Sequence, residues 1–95
     1  MKVLKVGVPT DAELEALAYT VSKEWNWLGR RLGVHELELQ GIDRGGEQPS
    51  KKVFHMLIHW KQRNGSEATY KVLYDALTHD LVARQDLAEK FCLNG

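Results

Sequence analysis

Trp25-Asn26-Trp27-Leu28-Gly29-Arg30-Arg31-Leu32-Gly33-Val34 is the stretch that decides how this chain folds. Trp25, Leu28 and Leu32 recur at intervals of three and four residues, so a helix over 25–32 lines them along one face. Gly33 then supplies a stop, because glycine readily takes the left-handed conformation that ends a helix. Trp27 follows Trp25 by two positions and is turned about 200° away from the apolar face. Two readings of it stand side by side: a side chain folded against a neighbouring loop, or an exposed interface anchor of the kind tryptophan often provides.

The same period repeats on both sides. Upstream, Pro9-Thr10-Asp11-Ala12-Glu13 has capping-box spacing between Thr10 and Glu13, with acids suited to the positive end of a helix dipole. Leu14, Leu17, Ala18 and Val21 continue it as one stripe. Downstream, a third helix over about 35–44 carries Leu39 and Ile42 and ends at Gly45-Gly46. Pro49 fits the first turn of a fourth helix, where its missing N–H costs nothing. Val53, Met56, Leu57 and Trp60 form that helix's inward stripe, and Asn64-Gly65 stops it. Ser66 reads as the N-cap of a fifth helix with Thr69, Val72, Leu73, Ala76 and Leu77 inward. A sixth helix starts between Asp80 and Arg84 and runs to about Phe91, with Leu87, Ala88 and Phe91 inward. Val3–Val8 is the one β-like stretch, and no partner strand is evident. Six short helices with short connections predict an all-α bundle, one domain over the 95 residues with its core at about 10–92.

Composition narrows the function. No apolar run is long enough for a bilayer and no signal peptide is recognisable, so neither membrane insertion nor secretion is expected. The single cysteine, Cys92, has no internal disulfide partner, which suits a reducing compartment and a cytoplasmic location. The 13 basic and 13 acidic residues balance, whereas a general nucleic-acid binder needs a positive excess. The balance is uneven along the chain: residues 1–33 carry +1, 34–48 carry −3, 49–65 carry +4 and 66–95 carry −2. Alternating blocks of this kind suit a surface that meets complementary surfaces.

The candidates for site chemistry are few. Trp25 and Trp60 lie on apolar stripes and are expected in the core. Tyr70 and Tyr74 sit one step off the inward stripe of the fifth helix, at its core edge. His55 and His59 have the i, i+4 spacing of a zinc pair, but Met56 stands where a metalloprotease has glutamate, and no third ligand is close. Cys92 has no assignable His–Asp partner. With no paired carboxylates, triad or phosphate loop, the chain is read as a non-enzyme without metal or cofactor.

The motifs resemble those of the death-domain family. Trp25-x-x-Leu28-Gly29-x-x-Leu32-Gly33 looks like the family's W-x-x-L-A-x-x-L-G run. Leu39-x-x-Ile42, Leu57-x-x-Trp60-Lys61, Leu73-x-x-Ala76-Leu77 and Asp86-Leu87-Ala88-Glu89 resemble its later helices, so the likeness covers about residues 10–92. It departs from the pattern at Trp27, often polar in the family, and at Gly29, often alanine. Gly29 either weakens the second helix, by about 1 kcal/mol, or permits close packing. The resemblance implies an antiparallel six-helix Greek-key bundle, the death fold. It implies an adaptor-type module for homotypic assembly in apoptotic or inflammatory signalling, whose partners are receptor tails, adaptors or copies of itself.

It also implies recurring interface types. One joins the first and fourth helices to the second and third, another joins the end of the fourth helix to the region between the fifth and sixth, and a third uses the third helix and neighbouring loops. On that basis the partner-binding residues are expected to be Lys52, His59, Lys61 and Arg63 on the basic fourth helix, Asp80 and Asp86, Arg30 and Arg31, Glu36 and Glu38, and Trp27. In particular, Lys61 and Arg63 are expected to meet an acidic patch such as Asp80 and Asp86 on a partner. The competing reading is a small helical nucleic-acid-binding domain that uses the basic fourth helix.

Overall fold

The structure, a computed structural model, describes residues 2–21 and 23–94. Six helices follow one another: α1 (Asp11–Thr20), α2 (Trp25–Arg31), α3 (Glu36–Arg44), α4 (Pro49–Asn64), α5 (Tyr70–Thr78) and α6 (Gln85–Cys92). A short 3-10 turn, Gly65–Glu67, links α4 to α5. The α1 start is the one its residues prescribe: the Glu13 N–H donates to Thr10 Oγ1 at 3.1 Å and the Thr10 N–H to Glu13 Oε1 at 3.0 Å, a complete capping box. Pro49 occupies the first turn of α4.

The periodic apolar residues meet in one core. Leu14, Leu17, Ala18 and Val21 from the first segment and Val53, Met56, Leu57 and Trp60 from α4 are all buried. Leu28, Leu39, Leu73, Leu77, Leu87 and Phe91 close around them. Gly29 is a close-approach glycine: a Cβ there would lie 2.7 Å from Leu39 Cδ2 and 3.4 Å from Met56 Cγ. The missing side chain thus lets α3 and α4 come in against α2.

Cys92 belongs to the core, the last residue of α6, and burial pushes its thiol up to about 12. Three expectations need correction. Trp25 is only half-buried, packed at the edge of the core with Lys52 Nζ 5.7 Å from its ring centroid; it opens α2, where one side of the ring faces out. The N-cap of α5 is Thr69, whose hydroxyl accepts from the Val72 N–H, while Ser66 lies in the 3-10 turn. This turns the α5 wheel, so Tyr70 is buried and Val72 is exposed. Finally, Val3–Leu4 (β1) has a partner: it pairs antiparallel with Leu93–Asn94 (β2), Val3 opposite Asn94 and Leu4 opposite Leu93.

That pairing lays the first residues across the bundle. The Lys5 N–H donates to the Cys92 carbonyl at 2.9 Å and the Tyr70 N–H to the Gly7 carbonyl at 3.1 Å. Lys5 Nζ donates to Glu13 Oε2 at 2.7 Å, and the Tyr70 hydroxyl to Glu13 Oε1 at 2.5 Å. One carboxylate therefore ties the leading segment, α1 and α5 together.

Candidate protein-interaction surfaces

The charged face of α4 is built by helical spacing: Lys52, His55, His59 and Arg63 are three and four residues apart and share one side. The structure turns that side toward α3 and the loop after it. Lys52 Nζ meets Asp43 Oδ1 at 2.6 Å, His55 Nδ1 meets Glu47 Oε1 at 2.6 Å, and Arg63 Nη1 meets Glu38 Oε1 at 2.7 Å. His59 Nε2 closes on the other oxygen of Glu38. The fourth acid of the 34–48 block, Glu36, pairs with Arg30 of α2 at 3.1 Å. The negative and positive blocks that follow each other in the sequence thus engage within the molecule. Lys61 is likewise held, at 2.8 Å from Asp11 on α1.

The expected acidic patch lies beyond α5. Asp86 chelates Arg84 at 3.1 Å through both carboxylate oxygens, and Arg84 also reaches Glu24 at 3.4 Å. The hydrogen bonds from Arg84 hold the Asp86 carboxyl below its ordinary value. Asp80 is exposed and has no ion-pair partner among the described residues. Lys61 and Arg63 are not brought to Asp80 or Asp86 within the chain, so that contact remains one that only a second molecule can make.

Two exposed clusters combine aromatic area with charge. On α2, Trp27 is 44% exposed, and the Arg30 guanidinium lies 5.6 Å from its ring centroid. Arg30 is fixed there by the Asn26 amide oxygen at 2.9 Å and by Glu36. Arg31, one turn after Trp27, lines a shallow concavity with Val72, Asp75 and His79. The second cluster escaped the sequence reading. Tyr19, 81% exposed, lines a groove between α1 and α4 with Glu15, Ser50, Lys51 and Phe54. The one signal for it was an aromatic residue off the apolar stripe of α1. Among the described residues there is no group of three or more His, Cys, Asp or Glu placed to hold a metal ion.

The death-domain family model matches residues 11–92, from the first residue of α1 to the last of α6. The chain belongs to the death-domain family. Six helices in this order and a shared apolar core are the all-α death fold that the tryptophan-led motif implied. Death domains are protein–protein interaction modules that bind other death domains, which is the general function of this one. No solved structure was found that matches the chain. No helix of the described death domain is long and apolar enough to cross a membrane.

Proposed function

We propose that this death domain assembles head-to-tail with related domains in cytoplasmic signalling of the apoptotic or inflammatory kind, where it acts as an adaptor. The α2 cluster of one molecule, Trp27 with Arg30 and Arg31, enters the α1–α4 groove of the next, lined by Glu15, Tyr19 and Phe54. The supporting observation is that the two clusters are distinct, and that the groove offers a carboxylate, Glu15, to the cations of the α2 cluster. One presents cations around an exposed indole, the other an exposed phenol with the Glu15 carboxylate on the α1 wall and Lys51 on the α4 wall. Trp, Tyr and Arg are the residue types that dominate interface energetics. Two different patches make a heterologous contact, which propagates to further copies instead of closing as a symmetric dimer.

The test is sedimentation velocity of the domain, alone and mixed with other death domains. Trp27→Ala with Arg31→Glu removes the head, and Tyr19→Ala with Glu15→Lys removes the tail. Each double variant should fold and lose association by tenfold or more, roughly the effect of removing one hot spot. Mixed together, the two variants retain one intact contact and should form heterodimers that do not extend. Unchanged assembly by both variants would refute the contact.

The contact of Lys61 and Arg63 with Asp80 and Asp86 is a second reading, favoured because the Arg63 side chain is 65% exposed and Asp80 is unpaired among the described residues. It must exchange the internal partners Glu38 and Asp11 for external ones, which lowers its net gain. Neutralising Lys61→Gln with Arg63→Gln separates the two readings: assembly lost there and retained in the α2 variant would favour the second. The same internal pairing leaves α4 less cationic than its sequence and weighs against a nucleic-acid site.

A further inference from the structure

α3 is held to the bundle by one buried leucine and a row of ionic contacts. Of its nine residues only Leu39 is fully buried, Ile42 is half-buried and Leu37 is 69% exposed. By contrast, α4, α5 and α6 bury four residues each. All three acids of α3 are instead engaged, Glu36 by Arg30, Glu38 by Arg63 and His59, and Asp43 by Lys52, and Glu47 in the loop that follows meets His55. The helix is bounded by Gly33 at φ 87° and Gly46 at φ 71°, positions where the backbone reverses without a Cβ penalty and nothing crowds the glycine. Its one deep anchor, Leu39, seats against Gly29 with no room for a methyl group.

We propose that α3 is a cover that opens as a unit about Gly33 and Gly45–Gly46 while the rest of the bundle stays folded. The stripe it uncovers, Lys52, His55, His59 and Arg63, then receives an acidic helix from a partner protein. The occupant's chemistry follows from charge complementarity: α3 itself shows that a helix with two carboxylates, Glu38 and Asp43, meets Lys52, His59 and Arg63, while His55 is met by Glu47 in the loop that follows. Exposed ion pairs each contribute little and weaken with salt, whereas buried apolar contacts do not. Elements with few buried contacts are the ones that open locally below the global unfolding free energy. The head-to-tail contact is not needed for this opening, which belongs to the isolated domain.

Amide hydrogen exchange reads the opening, because a released nine-residue helix does not persist alone in water. Amides 38–45 should exchange through an opening that leaves α1, α4, α5 and α6 protected. Salt at 1 M, about 3 Å of Debye length, should accelerate them. Glu38→Gln, which loses two partners, should accelerate them roughly two- to thirtyfold, and Gly29→Ala, which displaces Leu39, roughly tenfold. A synthetic peptide of residues 34–47 is the acidic probe. Its affinity for each variant should rise by the same factor as the α3 exchange rate, since only the open fraction binds. If Gly29→Ala does not fold, Glu38→Gln carries the test alone. The proposal is overturned if amides 38–45 exchange only with the whole molecule. It is also overturned if faster α3 exchange brings no gain in peptide binding.

Discussion

Replacing Glu13 by glutamine isolates one carboxylate whose charge the fold uses. Its oxygens accept from the Thr10 N–H at 3.0 Å, Lys5 Nζ at 2.7 Å and the Tyr70 hydroxyl at 2.5 Å. Burial alone raises this carboxyl, but the three hydrogen bonds and the Lys5 charge outweigh it and bring the value from 4.5 to about 2. A change of that size corresponds to roughly 3 kcal/mol of preference for the ionised form in the folded protein. The side chain is 23% exposed, and solvent screening reduces this to about 2 kcal/mol. Because the folded value lies below the unfolded one, the stabilisation is present above pH 4.5 and is lost as pH falls through 2. Glutamine keeps the shape and one acceptor but cannot ionise, so the variant lacks this component at every pH. Urea titrations of both proteins from pH 6 to pH 2 should show the wild type ahead by about 2 kcal/mol at pH 6 and the gap closing toward pH 2. All other titrating groups are shared and cancel. A gap that persists unchanged at pH 2, or none at pH 6, would refute the role given to the charge.

The three tryptophans should separate by burial in denaturant titrations. Trp60→Ala should cost ~3–5 kcal/mol, Trp25→Ala about half of that, and Trp27→Ala less than about 1 kcal/mol; equal losses at 25 and 60 would contradict the half-buried position of Trp25. Cys92, buried and with its thiol raised to about 12, should react with a thiolate-directed reagent only as fast as the protein opens. Prompt labelling of the native domain would show that α6 does not seal it. Ala83 holds a left-handed backbone at φ 54°, which costs a residue with a Cβ roughly 1–2 kcal/mol. Ala83→Gly, offset by about 0.5–1 kcal/mol of glycine entropy, should be neutral to slightly stabilising in thermal melts, and a clear loss would argue against this backbone conformation.

Helix number, order and most core residues were legible because helical periodicity is a local property: the α1 and α4 stripes are wholly buried. Errors arose where a single hydrogen bond moves a boundary. Capping by Thr69 instead of Ser66 exchanges the positions of Tyr70 and Val72, and nothing nearby in sequence decides between the two hydroxyls. Trp25 read as core because its spacing from Leu28 is right, yet the first residue of a helix is covered on one side only. The pairing of Val3–Leu4 with Leu93–Asn94 joins opposite ends of the chain, beyond any local pattern. For the site, composition showed that charges of opposite sign follow each other in blocks, but not that Lys52 and Arg63 of α4 pair with α3 while Lys61 pairs with α1. The fate of a surface charge depends on which helix packs beside it, and periodicity does not report that. The groove at Tyr19 was invisible for a similar reason, since its other wall comes from a helix some thirty residues later.

The antiparallel ribbon of Val3–Leu4 and Leu93–Asn94 has a mechanical consequence. Val3 stands opposite Asn94, so the two chain ends leave from the same end of the ribbon, side by side. Tension applied through sequences on either side therefore opens the ribbon like a zipper, one residue pair at a time, and does not shear its hydrogen bonds together. Peeling continues into the Lys5 N–H bond to the Cys92 carbonyl and then pulls directly on the Lys5–Glu13 contact at the start of α1. Under load the domain should yield first at this seam, with the α1–α4 packing the last part to feel the pull.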